Sequence, residues 1–260
     1  MKFDIALEKF RRYMKLNHYS KSTINSYGKV IEKILSNTDI DNLSQNDLDN
    51  ISYELIGKYE HNGNRIRFGA INLFCKNILK KNKEELYLKI PASKIKNKDI
   101  LTNEQVEEIL SIAKTKKKVV YALFRTIYDC ALRKKEACDL NGEDVNFETM
   151  ELSLKNTKTG DQIVTMTTRV AESIKDYILY ERNPRNKNEK ALFLNKYGTG
   201  IGEHFVRGHL KECAVEADIK SRVYPHLLRA SCITHLLNEG ANPYTVQLHA
   251  RHRDFKTTMI

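Results

Sequence analysis

The chain has 260 residues, 41% of them hydrophobic, which is enough for the core of one large or two ordinary domains and argues against wholesale disorder. Lys and Arg number 44 against 33 Asp and Glu, a net charge of +11 that concentrates polyanions at the surface. Nucleic acid is the first candidate partner and an anionic membrane surface the second. No run approaches the roughly 18 apolar residues that span a bilayer, and the opening MKFDIALEKFRRYMK is charged throughout, unlike a secretory signal. The expectation is a cytoplasmic protein.

Phe3, Leu7, Phe10 and Met14 recur on one face and predict a helix over 3–17. A second helix is expected from Ser22 to Leu35, and a third over 44–56 with Ser44 as its N-cap. HNGN at 61–64 reads as a turn, and Ile71, Phe74 and Ile78 place a fourth helix over 65–81. Residues 1–88 are thus expected to form a small all-α domain. The segment 89–100, with Pro91, four lysines and no periodicity, reads as a basic linker. Residues 1–99 carry 19 Lys and Arg against 12 Asp and Glu, so most of the basic excess falls on this half.

From residue 101 the texture changes. Thr102 opens a capped helix with Glu104 and Gln105 in its first turn. VVYALFRTIYDCALRKKEACDL is an apolar helix pair at the centre of a second domain. Over 144–167 the pattern shifts to period two, with Met150, Leu152 and Leu154, then Ile163, Val164 and Met166, around the turn TKTGD. Helices resume over 168–181, 202–217, 226–239 and 242–249. The fold class is therefore mainly α, a mostly helical second domain over 101–260 with one small antiparallel sheet. The five cysteines, 75, 130, 138, 213 and 232, are odd in number and scattered through apolar helices, so they read as buried free thiols. Motifs of the HExxH, phosphate-loop and dinucleotide kinds do not occur in the sequence.

Polar residues that a core does not need fall at four places. Arg133 lies at a break between helices with Glu136 three residues on, suited to a bidentate contact or to a plain surface ion pair. Lys158 is at the hairpin tip, where a solvated lysine is ordinary. His226 and Arg229 share the opening of an apolar helix, where a half-buried histidine and a solvated first-turn charge are also ordinary. His252 follows the end of the last helix.

Their order, LRxxE, a hairpin lysine, HLLR and a late histidine, resembles the tyrosine recombinase family of phage-type integrases and Xer-like resolving enzymes. YSKSTINSYGKVI is similar to a helix opening in that family's core-binding domain, and THLLNEGANPYTVQLHARHRDFKTT is similar to its tail. The resemblance implies site-specific recombination of double-stranded DNA, with a tyrosine attacking a backbone phosphate to leave a 3′-phosphotyrosyl link and a free 5′-hydroxyl. It implies self-association as a tetramer on DNA, and no metal, cofactor, membrane or small-molecule substrate. Arg133 and Arg229 would stabilise charge on the non-bridging oxygens. Lys158 would be the general acid for the leaving 5′-oxygen, His226 would assist proton transfer or hold the phosphate, His252 would bond a phosphate oxygen, and Glu136 would orient the site from behind.

The sequence departs from the family pattern in three places. Ala230 stands where a histidine commonly follows the second arginine. Arg251 stands where a glycine commonly precedes the late histidine, and a left-handed conformation there would cost an arginine about 1 kcal/mol and seat His252 less well. The nucleophilic tyrosine of the family follows the late histidine by about nine residues, which from His252 is just past Ile260. The expectation is a chain truncated before its nucleophile, which binds DNA and forms no covalent adduct. Tyr244, upstream, lies in a helix whose pattern matches a packing segment. The alternative is a DNA-binding protein or partner subunit of recombinase ancestry that does not cut.

Overall fold

A computed structural model of the chain describes residues 2–92, 100–155, 157 and 160–259. The chain divides into two compact units, residues 1–97 and 98–260.

Among the described residues the first unit contains four helices: α1 (Phe3–Leu16), α2 (Lys21–Leu35), α3 (Gln45–Lys58) and α4 (His61–Asn77). Ser20 caps α2 through the Thr23 amide, and Ser44 with Asp47 forms a reciprocal capping box on α3. Leu7, Phe10, Met14, Ile31, Leu48, Ile71 and Phe74 form the core, with Phe10 and Phe74 packed edge to face at 5.4 Å. HNGN is not a turn but the first turn of α4. The buried Asn64 amide donates to the carbonyls of Leu55 at 3.0 Å and Tyr59 at 3.2 Å, so a turn-forming side chain is used to close the end of α3. The start of the segment expected to be a linker is tied down. Asn72 exchanges two 2.8 Å hydrogen bonds with the Leu88 backbone, and Arg65 donates to the Pro91 carbonyl at 2.5 Å. Residues 93–99 lie outside the described residues.

In the second unit α5 (Asn103–Lys116), opened by the Thr102–Gln105 capping box, precedes α6 (Lys118–Asp129) and the short α7 (Lys134–Cys138). A meander β1 (Val145–Asn146), β2 (Glu151–Leu154), β3 (Gln162–Thr165) follows, then α8 (Thr168–Tyr180), α9 (Glu203–Glu216), α10 (Pro225–Asn238) and α11 (Pro243–Ala250). α6 is the centre: Val120, Leu123, Phe124 and Ile127 are fully buried. A helix apolar on so much of its surface must be surrounded by other elements. The buried Arg125 of α6 forks onto Glu107 of α5 with two 3.0 Å contacts, an anchoring pair that periodicity does not reveal.

The sheet is antiparallel, with Leu152 opposite Val164 and Leu154 opposite Gln162. Leu152, Leu154, Val164 and Met166 face the core, but Ile163 is 66% exposed and points away. Ile163 and Val164 are adjacent, and a pleated strand sends neighbours to opposite faces. The cysteines are free; Cys138 is half-buried and the other four are buried.

Candidate active site

Two chain reversals in the second unit build the site. α6 ends on Cys130, and Ala131 then turns left-handed at φ 45°. The Leu132 amide returns to Ile127 O at 3.0 Å and the Ala131 amide to Tyr128 O at 3.0 Å, a Schellman closure that delivers Arg133 to the N-terminus of α7. α11 ends the same way. Arg251 turns left-handed at φ 54°, ψ 43°, with His252 N bonded to Gln247 O at 3.1 Å. A side chain in that conformation costs roughly 1 kcal/mol at each corner. The backbone cost expected for Arg251 is therefore present. His252 is nonetheless held, because Gln247 also donates to its carbonyl at 3.0 Å and its Nδ1 stands 3.0 Å from Thr258 Oγ1.

Between the corners, three guanidiniums meet one carboxylate. Arg133 Nη1 lies 2.5 Å from Glu136 Oε1, Arg251 Nη2 lies 3.1 Å from Oε2, and Arg229 Nη1 stands 4.0 Å from Oε2. Glu136 is not the bidentate partner of one guanidinium. Its Oε2 also accepts from the Arg133 amide at 2.8 Å, so the carboxylate caps α7 while serving the arginines. Burial pushes the Glu136 carboxyl up, but the Arg133 amide and guanidinium, with Arg251, outweigh it and hold the group below its usual value.

Arg229 is not a solvated first-turn charge. It is 1% exposed, the largest fully buried side chain among the described residues. Its two Nη atoms donate to the carbonyls of Ala131 and Ala250, one at each corner. Burial, then Arg251 and Arg133, push its guanidinium down to about 9 against the partial help of Glu136. Arg133 is more open, its side chain 38% exposed.

His252 is half-buried beside these cations. Burial, then Arg229, Arg133, His226 and Arg251, lower its imidazole to about 4, so it is neutral at pH 7. His226, the second residue of α10, is exposed. It shares with Arg133 a cleft of about 1090 Å³ whose wall is basic, with Lys134, Arg207, Lys211, Lys220 and Arg222. Arg133, His226, Arg229, His252 and Glu136 are thus brought to one region. Lys158 lies outside the described residues. Its neighbour Lys155 is committed at the base of the hairpin, 2.6 Å from Asp144 and 3.3 Å from Glu143.

Tyr244 is 70% exposed near the start of α11, its ring against Phe255 at 5.3 Å. Arg251 and His252 follow the other end of that helix, on the order of 10 Å along the axis. Among the described residues no cluster of three or more His, Cys, Asp or Glu is arranged to hold a metal ion, and no helix is long and apolar enough to cross a membrane. Sequence reading missed Arg251, Gln247 and Thr258 as members of the site. Arg251 alone carried a signal, as the side chain standing where the family commonly has glycine.

The first unit has a basic cluster of its own. The Arg67 guanidinium lies 3.6 Å over the Tyr59 ring, with the ammonium groups of Lys33 and Lys58 at 5.8 and 6.0 Å. A hydrogen bond with Lys33 is the chief cause of a Tyr59 phenol below its usual value.

Known proteins share this layout. Tyrosine recombinase XerD of Oceanobacillus iheyensis is 26% identical over 275 residues, covering 99% of this chain and 93% of that protein. Tyrosine recombinase XerA of Pyrococcus horikoshii is 27% identical over 277 residues, covering 98% and 87%. Among solved structures, a lambda integrase dimer bound to a core site superposes with a TM-score of 0.80 at 11% identity, over 99% of this chain and 97% of that one. The Tn1549 transposon integrase in complex with transposon right end DNA superposes with a TM-score of 0.74 at 18% identity, over 98% and 93%. Those two likenesses are of fold. The sequence signature of the Phage integrase family matches residues 99–260, and with it the chain belongs to that family, the tyrosine recombinases.

Proposed function

We propose that the chain binds double-stranded DNA and takes part in its site-specific recombination, with one phosphodiester seated among Arg133, His226, Arg229 and His252. The observation that carries this reading is the charge at the two corners: three guanidiniums share a single carboxylate, its side chain 9% exposed. Such a cluster has an excess of positive charge in a poorly solvated place, and an incoming anion relieves it. A phosphodiester under attack spreads negative charge over its non-bridging oxygens, which is the charge these donors are placed to stabilise. Neutral His252 offers a ring nitrogen to a phosphate oxygen, and Glu136 keeps the arginines oriented. Lys158 takes the role of general acid. Both units contribute to DNA binding, the first through the Tyr59 cluster, and copies of the chain assemble as a tetramer on DNA in the cytoplasm.

A second reading, DNA binding without strand cleavage, is favoured by one feature: both Arg229 Nη atoms are already given to carbonyls. The test is binding of a labelled duplex at increasing salt, followed by incubation with a nicked duplex and denaturing gels. Affinity should fall steeply with salt. A DNA-linked protein band supports cleavage, persistent binding without one supports the second reading, and salt-independent or absent binding rejects both.

A further inference from the structure

Arg251 has the properties of a residue that acts through others. Its side chain is 4% exposed, and both its Nη atoms are engaged by groups of the chain itself. It occupies a left-handed position that favours glycine, and its Nε has no hydrogen-bond partner among the described residues. A buried cation at a strained backbone position is unfavourable unless the side chain does something there.

Its contacts show what that is. Nη1 donates to Cys130 O at 3.3 Å and to His249 O at 2.8 Å, and Nη2 to Ala131 O at 2.8 Å and to Glu136 Oε2 at 3.1 Å. In return, Arg133 Nη2 donates to the main-chain carbonyl of Arg251 at 3.2 Å. Each left-handed corner thus receives a guanidinium tied to the other. Ala131 O accepts from Arg229 as well as from Arg251, so movement of that carbonyl moves both.

We propose that Arg251 is a positioning residue, a cross-brace that holds the corner carrying His252 against the corner carrying Arg133. Its consequence for function rests on the reading of this site as a phosphodiester site. The planar fork is what the position needs. A lysine ammonium keeps the charge but cannot span a carboxylate and the carbonyls of both corners at once.

The experiment uses the 260-residue chain and its variants Arg251→Gln, Arg251→Lys and Arg251→Gly. Amide hydrogen exchange is followed at both corners, and inorganic phosphate is titrated while the His252 ring is observed by NMR. That ring faces Arg133, His226, Arg229, Arg251 and Thr258. In Arg251→Gln, exchange at 131–133 and 251–253 should rise together, about tenfold or more, while α5 and α8 are unchanged. Phosphate affinity should fall about tenfold, and Arg251→Lys should rescue neither effect. Loss of one positive neighbour should also raise the His252 titration midpoint in Arg251→Gln. Unchanged exchange at 131–133, rescue by lysine, or an Arg251→Gly chain that matches the wild type overturns the brace. If the Arg251 variants do not fold, Arg133→Gln tests the brace from the other side and should raise exchange at 251–253. A wild-type chain that takes up no phosphate while the exchange pattern holds would overturn the phosphodiester reading and leave the brace standing.

Discussion

Arg229 and Glu136 are both withdrawn from solvent, their side chains 1% and 9% exposed, and Arg229 Nη1 stands 4.0 Å from Glu136 Oε2. That distance is too long for a hydrogen bond and short enough for a strong charge interaction in a poorly solvated place. Glu136 is therefore the counter-charge of Arg229 without being its hydrogen-bond partner, a role taken by the carbonyls of Ala131 and Ala250.

Glu136→Gln should consequently destabilise the second unit by about 3–5 kcal/mol, the cost of leaving buried guanidiniums without their carboxylate. Urea unfolding of the wild type and the variant measures it. Inorganic phosphate should recover part of the loss by supplying the missing negative charge. A variant within about 0.5 kcal/mol of wild type, the range of ordinary surface substitutions, would show that the cluster does not need Glu136.

Arg229→Ala should leave duplex affinity within about tenfold, since one phosphate contact among many is lost. Where strand cleavage is measured, the same change should remove several kcal/mol of transition-state stabilisation. The variant also takes the Arg229 donor from the Ala250 carbonyl and leaves Ala131 O to Arg251 alone, so its fold is to be checked by circular dichroism. A well-folded Arg229→Ala chain whose binding and cleavage fall by equal factors would make Arg229 a docking residue.

His252 sets an acid limit on stability. Its imidazole is held at about 4, first by burial and then by the surrounding cations, whereas in the unfolded chain it titrates near 6.5. Between these values the unfolded chain binds a proton that the folded chain does not. Stability from this group is complete above about pH 6.5 and is lost as pH falls toward 4, by at most about 3 kcal/mol. Unfolding free energies from pH 7 to 4 should fall less steeply in His252→Asn than in the wild type, and parallel curves would remove His252 as the cause.

Arg67→Ala and Lys33→Ala, at the Tyr59 cluster of the first unit, should each weaken binding to all duplexes alike and reduce the salt slope by about one. Slopes from fluorescence anisotropy at several salt concentrations decide this. Unchanged slopes would mean that the cluster serves the first unit's stability and faces no phosphate.

Local pattern carried far in this chain because much of the architecture is local. The spacing of Leu7, Phe10 and Met14 is enough to place α1, since a helix is decided by residues three and four apart. The caps at Ser44 and Thr102 are legible for the same reason, as their partners Asp47 and Gln105 lie three residues on. The order of Arg133, Glu136, His226, Arg229 and His252 was also visible, because motif order is a property of the chain. What they touch was not. Arg229 finds its carbonyls 98 and 21 residues away, and Arg251 reaches Ala131 across 120 residues. Asn64 reads as a turn former until α3 ends beside it and consumes its amide. Periodicity and capping report the preferences of neighbours along the chain, whereas burial of a charge depends on which distant backbone groups fold around it. The sequence by itself therefore determined the elements and the residue types of the site. Only the tertiary structure decided that Arg229 is enclosed, and that an arginine in a glycine-favouring turn cross-links the two corners.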